Sequence, residues 1–363
     1  MKKNKKLTEK HPVKIKSITT AGNLVSDIHK MIGETRSSVA ATVNIGLTML
    51  YWKIGKRVND EILVNKRAGY GEEILATLSQ ELIIEHGSSF SEKNLRRMVQ
   101  FSEVFSDEKI VVSLIRQLSW THFIALIPLK KPLEREFYAE MCRVERWSVR
   151  TLRKKIDSML FERTALSKKP EKLARMELSK LREEDKLTPD LVFRDPYFLD
   201  FLGLKGSYQE KDLESAILRE IEAFIMELGA GFSFVARQKR ITIDNDDFYI
   251  DLLFYHRKLK SLVVIDLKLG KFKAAYKGQM ELYLRWLEKY ETEPGEQPPL
   301  GLILCAEGNN GQVELLQLDK SGIHVAEYLT VLPPKKLLQE KLHKAIGLAK
   351  RQIEQRNTNK EKK

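Results

Sequence analysis

The chain is short of sulfur. Its two cysteines, Cys142 and Cys305, lie in unrelated segments of a 363-residue sequence. That excludes a disulfide framework and a Cys-x-x-Cys zinc spacing, and makes a reducing, cytoplasmic compartment the natural home. Long apolar runs are also missing: the longest, such as 262–265, are strand-sized, far below the roughly 18 residues a membrane helix needs, so no membrane partner is expected. The Lys-rich first sixteen residues lead into no apolar stretch and do not read as a secretory signal. None of the 7 histidines is paired at i, i+4, which leaves a histidine-based metal or hydrolase site without support. No Gly-x4-Gly-Lys-Ser/Thr loop or Gly-x-Gly-x-x-Gly turn is present. Gly229-Ala230-Gly231 closes a helix rather than following a strand, so no nucleotide cofactor is expected.

What the chain does have is length, apolar content and positive charge. With 363 residues and 42% hydrophobic content it can bury a real core, enough for two domains. The net charge of +13 is unevenly placed. Residues 1–16 hold seven Lys and one Glu, residues 350–363 hold six Lys and Arg against two Glu, and the remaining 333 residues carry only +3. Both ends, 1–20 and 350–363, therefore read as disordered basic tails that attract polyanions without selecting one.

Between 21 and 165 the pattern is helical. Val39, Val43, Leu47, Leu50, Ile54 and Val58 recur at helical spacing, predicting one long helix or two in succession. A helix over 72–85 and another after Ser91, carrying Arg96 and Arg97, resemble a helix-turn-helix, with an ordinary helical pair as the equal alternative. Further helices are predicted at 119–127, 132–143 and 148–162, with Ser119 and Ser148 as caps. Arg143, Arg146, Arg150, Arg153, Lys154 and Lys155, against Glu145, form a +5 cluster suited to phosphate contacts or to a solvated helix face. Residues 166–190, polar and ending at Thr188-Pro189-Asp190, read as a linker containing one short helix. From 191 to 349 the pattern changes to a helix at 209–228, strands at 232–238, 248–255, 262–269 and 300–306, and a helix at 276–289. This order predicts an α/β domain on a central mixed sheet, and an α+β two-domain chain overall.

Two of these strands carry the chemistry. Alternation places Asp266 and Lys268 on one face of their strand. If 248–255 and 262–269 form a hairpin turning between Lys258 and Leu259, residues whose numbers sum to 517 lie opposite each other, and Asp251 meets Asp266. Opposed like charges among apolar neighbours are costly unless paired, protonated or bound to a cation. Oxygen ligands with open positions suit magnesium or manganese, and Lys268 would stand beside an attacking water or a charged phosphoryl group. A buried triad, with Lys268 bridging both aspartates, is the competing explanation.

Asp251 followed by Asp266-Leu267-Lys268 resembles the PD-(D/E)XK nuclease signature, with Ile250 where the signature has proline. Gln279 and Tyr283 on the next helix resemble the QxxxY motif of RecB-type members, in which the pair helps position the active site or substrate. Asp251-Leu252-Leu253-Phe254-Tyr255-His256, Gly278-Gln279-Met280, Asn94-Leu95-Arg96-Arg97-Met98 and Gln117-Leu118-Ser119-Trp120-Thr121-His122 extend the likeness to the YhcG-like nuclease family over nearly the whole chain between the tails. The resemblance implies a C-terminal restriction-endonuclease-like domain and a helical N-terminal domain that binds DNA or a partner. It implies magnesium (or manganese) held by Asp251, Asp266 and the Leu267 backbone carbonyl, with catalytic roles for Lys268, Gln279 and Tyr283. Among Glu220, Glu222 and Glu227, helical phase does not choose, and the family pattern favours Glu222 as a further metal ligand. Gln238, with Arg237 and Lys239, is placed to meet phosphate or water, whereas His256 reads as an incidental turn residue.

The expected function is thus metal-dependent hydrolysis of DNA in restriction, repair or mobile-element defence. The alternative is a nuclease-fold subunit that binds DNA or assembles with restriction or defence proteins without cutting. A homo-oligomer is compatible with either.

Overall fold

The computed structural model describes residues 18–65, 70–204, 206–307, 312–313, 316 and 318–361. By packing, the chain divides into two compact units, residues 1–124 and 125–363.

The first unit is helical: α1 (Ile18–Asn65), α2 (Tyr70–His86), α3 (Glu92–Val104), α4 (Glu108–Leu114) and the start of α5 (Trp120–Leu126). The long apolar spacing expected from residue 23 onward is a single helix of 48 residues. Its second half buries Tyr51 and Val58 against Leu95, Met98 and Val99 of α3 and Leu75 of α2. The helices cross closely enough that a Cβ at Gly55 would lie 1.8 Å from the Met98 carbonyl oxygen, so only glycine fits there. Trp52 Nε1 donates to the Phe105 carbonyl at 2.7 Å, fixing the end of α3 on α1.

The second unit opens with α6 (Pro132–Glu145), α7 (Val149–Asp157), the single-turn helices α8 (Leu160–Arg163) and α9 (Ala165–Lys168), α10 (Glu171–Glu184) and the short α11 (Pro189–Val192). Ser148 caps α7 by accepting the Thr151 N–H. The segment expected to link two domains, 166–190, is instead packed: α10 buries Ala174, Leu178 and Leu181. Arg143 of α6 ties down its end through Asp185 (2.7 Å) and the Leu181 carbonyl (2.8 Å). By packing, the division between units falls between Ile124 and Ala125, ahead of these helices.

The sheet has six strands in the order β1-β6-β5-β4-β3-β2, made of β1 (Tyr197–Phe198), β2 (Phe232–Ile243), β3 (Asp246–His256), β4 (Ser261–Lys271), β5 (Leu300–Glu307) and β6 (Ile323–Leu329). β2, β3 and β4 form an antiparallel meander, while β4, β5, β6 and β1 run parallel. It is the mixed sheet the sequence predicts. Asp244 and Asn245, both at positive φ, make the tight β2–β3 turn, as two-residue hairpin loops require. The expected helix at 209–228 is two helices, α12 (Glu210–Arg219) and α13 (Ile221–Leu228), separated at Glu220. α14 (Ala275–Tyr290) is the crossover from β4 to its parallel neighbour β5. It packs so tightly that a Cβ at Gly301 would meet Met280 Sδ at 2.6 Å. Finally, α15 (Lys335–Glu361) takes in most of the segment expected as a disordered basic tail from 350. Of the N-terminal tail, only residues 18–20 are described, and they begin α1; the rest lies outside the described residues.

Candidate active site

β4 is one of the two innermost strands and reads as a nearly unbroken apolar run, buried from Ser261 to Leu267. Asp266 is the one charged residue within that stretch, and it is 4% exposed. The β3–β4 pairing runs Leu252↔Ile265, Leu253↔Val264 and Phe254↔Val263, the register expected from the sequence. The ladder stops at Leu252↔Ile265, so Asp251 and Asp266 stand at the next opposed position, where the strands part. The Asp251 carboxylate takes the Leu267 N–H there, at 2.9 Å.

That parting leaves groups to be satisfied, and α14 supplies one partner. Gln279 donates its side-chain amide to the Tyr283 hydroxyl at 2.6 Å, and Tyr283 donates to the Tyr249 carbonyl of β3 at 3.1 Å. The pair pins α14 to β3, and Tyr283 lies near enough for the charges of Asp266 and Asp251 to act on its hydroxyl. Lys268 Nζ lies 2.9 Å from the Asp266 carboxylate and 5.2 Å from the centre of the Tyr276 ring.

Gln238 reaches the same place from β2. Its amide nitrogen donates to Asp251 at 3.1 Å and to Glu214 at 2.9 Å. Its backbone has φ 42°, a left-handed conformation that a non-glycine side chain adopts at a cost. Two glutamates of α12 join the cluster. Glu214 shares the Gln238 amide, and Glu210 accepts the Leu269 N–H at 3.4 Å.

The charges perturb one another. Burial pushes the Asp266 carboxyl up to about 6, with Asp251 and Glu210 adding to the rise and Lys268 opposing it. Burial pulls the Lys268 ammonium down, yet Asp266, Asp251 and Glu210 outweigh it and hold the pKa above the ordinary value. Glu214 is raised by burial and by Asp251, against its hydrogen bond from Gln238.

The donor set fits a hard divalent cation: oxygen only, from Asp251, Asp266 and the Leu267 carbonyl. Among the described residues no three histidine, cysteine or carboxylate side chains gather as a ready-made cage. The fit is therefore to an ion that keeps several waters and takes one or two carboxylates, as magnesium does.

The other candidates separate. Glu222, favoured on the family pattern, is exposed on α13, a helix later than Glu210 and Glu214. Glu227 lies in a different ion cluster. It binds Arg163, stands 3.3 Å from Arg194 and accepts the Phe198 N–H at 3.0 Å. Burial pushes Glu227 up, but the two arginines win and hold it below the usual carboxylate range. Arg237 is exposed next to Gln238, whereas Lys239 is paired with Glu291 at 2.9 Å. In the basic cluster, Arg143 is committed to Glu140 and Asp185 and sits 13% exposed. Lys155 is half-buried and reaches the Met226 carbonyl at 3.3 Å, its pKa pulled down to about 8 by desolvation and by Arg194. Arg146, Arg150, Arg153 and Lys154 remain exposed. Arg96 pairs with Glu92 at 2.7 Å and Glu72 at 3.5 Å, and Arg97 donates to Asn94 at 3.1 Å. His256, expected to be an incidental turn residue, is fully buried and accepts the Leu259 N–H at 3.1 Å, which locks the β3–β4 turn. Glu210 and Glu214 escaped the sequence reading, although their i, i+4 spacing on the helix before the strands was a usable signal.

A lysine two residues beyond the second of two opposed aspartates, on a splayed hairpin of a mixed sheet, is the arrangement of PD-(D/E)XK nuclease domains. Residues 190–343 match the family of the YhcG PDDEXK nuclease domain, and residues 27–163 match the DUF1016 N-terminal domain. Over 357 aligned residues the chain is 33% identical to the Escherichia coli (strain K12) protein named "Putative nuclease YhcG", covering 89% of this chain and 94% of that one. The chain belongs to the YhcG-like nuclease family. Solved structures that align with it include a repair endonuclease from Pyrococcus abyssi (23% identity, TM-score 0.25, 36% of this chain and 50% of that one). The EndoMS-dsDNA2 complex aligns at 21% identity and TM-score 0.24, over 36% of this chain and 48% of that one. Each alignment spans about half of the solved chain. Among the described residues no helix is long and apolar enough to cross a membrane.

Proposed function

We propose that the chain is a divalent-metal-dependent deoxyribonuclease that hydrolyses phosphodiester bonds at the Asp251–Asp266–Lys268 cluster. The observation that supports this most is the excess of carboxylates at the splay: Asp251, Asp266, Glu210 and Glu214 act on one another there, with Lys268 as the cation in contact with Asp266. Asp251, Asp266 and the Leu267 carbonyl would hold magnesium or manganese. When bound, the ion would polarise the scissile phosphate and make a water nucleophilic near neutral pH. Lys268, kept protonated by its anionic neighbours, serves as a fixed cation for charge developing on the phosphoryl oxygens. Gln238 holds Asp251 and Glu214 in mutual register, and Gln279 with Tyr283 keeps the splay open.

The DNA backbone would meet Arg237 beside the site, Arg146 at the end of α6, and Arg150, Arg153 and Lys154 of α7, all exposed cations. The relative's name as a nuclease, the absence of disulfides and the basic ends favour cytoplasmic DNA restriction, repair or mobile-element defence as the setting.

Purified protein should nick supercoiled plasmid in magnesium and not in chelator, and Asp266→Asn should abolish nicking while leaving salt-dependent DNA binding intact. Equal nicking by wild type and Asp266→Asn would refute the proposal.

A further inference from the structure

α1 carries an apolar stripe that nothing among the described residues covers. Leu24, Ile28, Ile32, Val39, Val43 and Leu47 share one face and are each at least 44% exposed. The stripe is about 35 Å long at 1.5 Å per residue. The same helix buries its later apolar residues, Tyr51 and Val58, against α2 and α3, so the bare stretch is a continuation of a packing face and not a random scatter.

The spacing is the same read in either direction. Counting outward from the point between Thr35 and Arg36, Ile32 and Val39 are equidistant, as are Ile28 and Val43, and Leu24 and Leu47. Two such helices laid antiparallel, with a two-fold axis at that point, would seat every apolar residue against an apolar residue. We infer that this face pairs with the same face of a second copy of the chain, forming an isologous antiparallel dimer. Thr35 and Arg36, the polar centre, set the register, since sliding by one turn would press Arg36 onto an apolar neighbour.

Other occupants fit poorly. Between residues 24 and 47 the charges are Asp27, Lys30, Glu34 and Arg36, which cancel, whereas a DNA or anionic lipid surface calls for an excess of cations. The chain's own residues 1–16, with seven Lys, hold too few large apolar side chains to cover the stripe.

Sedimentation or light scattering of the full-length chain at micromolar concentration tests the dimer. Wild type should show twice 42.1 kDa, and Ile28→Glu combined with Val43→Glu should show a single chain with unchanged helical circular dichroism, because both positions are solvent-exposed. Under mild oxidation, Ile28→Cys protein mixed with Val43→Cys protein should cross-link, and Val43→Cys alone should not. A wild type of 42.1 kDa throughout, a doubled mass retained by the Glu variant, or equal cross-linking of Val43→Cys with itself would each overturn the inference.

Discussion

Two ion clusters sit in the second unit, each built around a buried charge, Arg163 in one and Asp266 in the other, and they differ in what balances them. At Glu227 the cations are in excess. Arg163 spends the surplus on neutral acceptors, donating to the Ser158 carbonyl at 3.0 Å and the Pro196 carbonyl at 3.1 Å. It also lies over the Phe198 ring at 3.7 Å. At Asp266 the anions are in excess, and their neutral partners, the Leu267 and Leu269 N–H groups and the Gln238 amide, hold the carboxylates in place without cancelling their charge. A buried ion pair is weak evidence of function, since structural networks perturb carboxylates too. Unbalanced negative charge beside a lysine, where the β3–β4 hairpin splays, is what distinguishes the candidate site from the ion cluster at Glu227.

The comparison fails if the two clusters respond alike to mutation. The largest effect is expected at Lys268→Ala, which should lower plasmid cleavage by about 10³-fold while moving the unfolding midpoint little, since it removes a cation that stabilises the reaction more than the fold. Glu227→Gln should do the reverse. It leaves Arg163 and Arg194 without their counter-charge and should cost roughly 3 kcal/mol in urea unfolding, with cleavage per folded molecule retained.

Acid titration sharpens the contrast from a third position. His256 is buried with no carboxylate partner, and desolvation holds its pKa down at about 4, against 6.5 for an ordinary imidazole. The unfolded chain takes up a proton near pH 6.5 that the folded chain refuses until about pH 4. Stability therefore falls as pH drops through that window, by at most about 3 kcal/mol. His256→Gln should flatten that slope in denaturant titrations at successive pH values. The smallest effect is expected at Gln238→Gly, which relieves the strained φ but removes the amide from Asp251 and Glu214. Cleavage should drop about tenfold with stability equal to or above wild type. A stability loss without an activity loss would make Gln238 a structural residue.

The β3–β4 hairpin was legible because two apolar runs flank one basic turn, and a single register puts Leu252 opposite Ile265; that register delivered the opposed aspartates. β6 and β1 were not. Ile323-His324-Val325-Ala326-Glu327-Tyr328-Leu329 has no clean alternation of burial, and the two residues of β1 become a strand only through Tyr197 pairing with Tyr328, far along the chain. The break at Glu220 carries no Gly or Pro to announce it. Without that break 209–228 reads as one helix whose end, carrying Glu222 and Glu227, approaches the strands, whereas the carboxylates that act on Asp251 and Asp266 are Glu214 and Glu210 of α12. Arg143 shows the limit of counting charge: its phosphate-like setting among Arg146, Arg150 and Arg153 is local, but its partner Asp185 is 42 residues away.

Manganese titration followed by electron paramagnetic resonance addresses the unbalanced cluster directly. The wild-type chain should bind the ion, Glu227→Gln should bind it equally, and Asp266→Asn should lose it. Binding that survives in Asp266→Asn, or that is absent from the wild type, would contradict a cation site at the splay of β3 and β4.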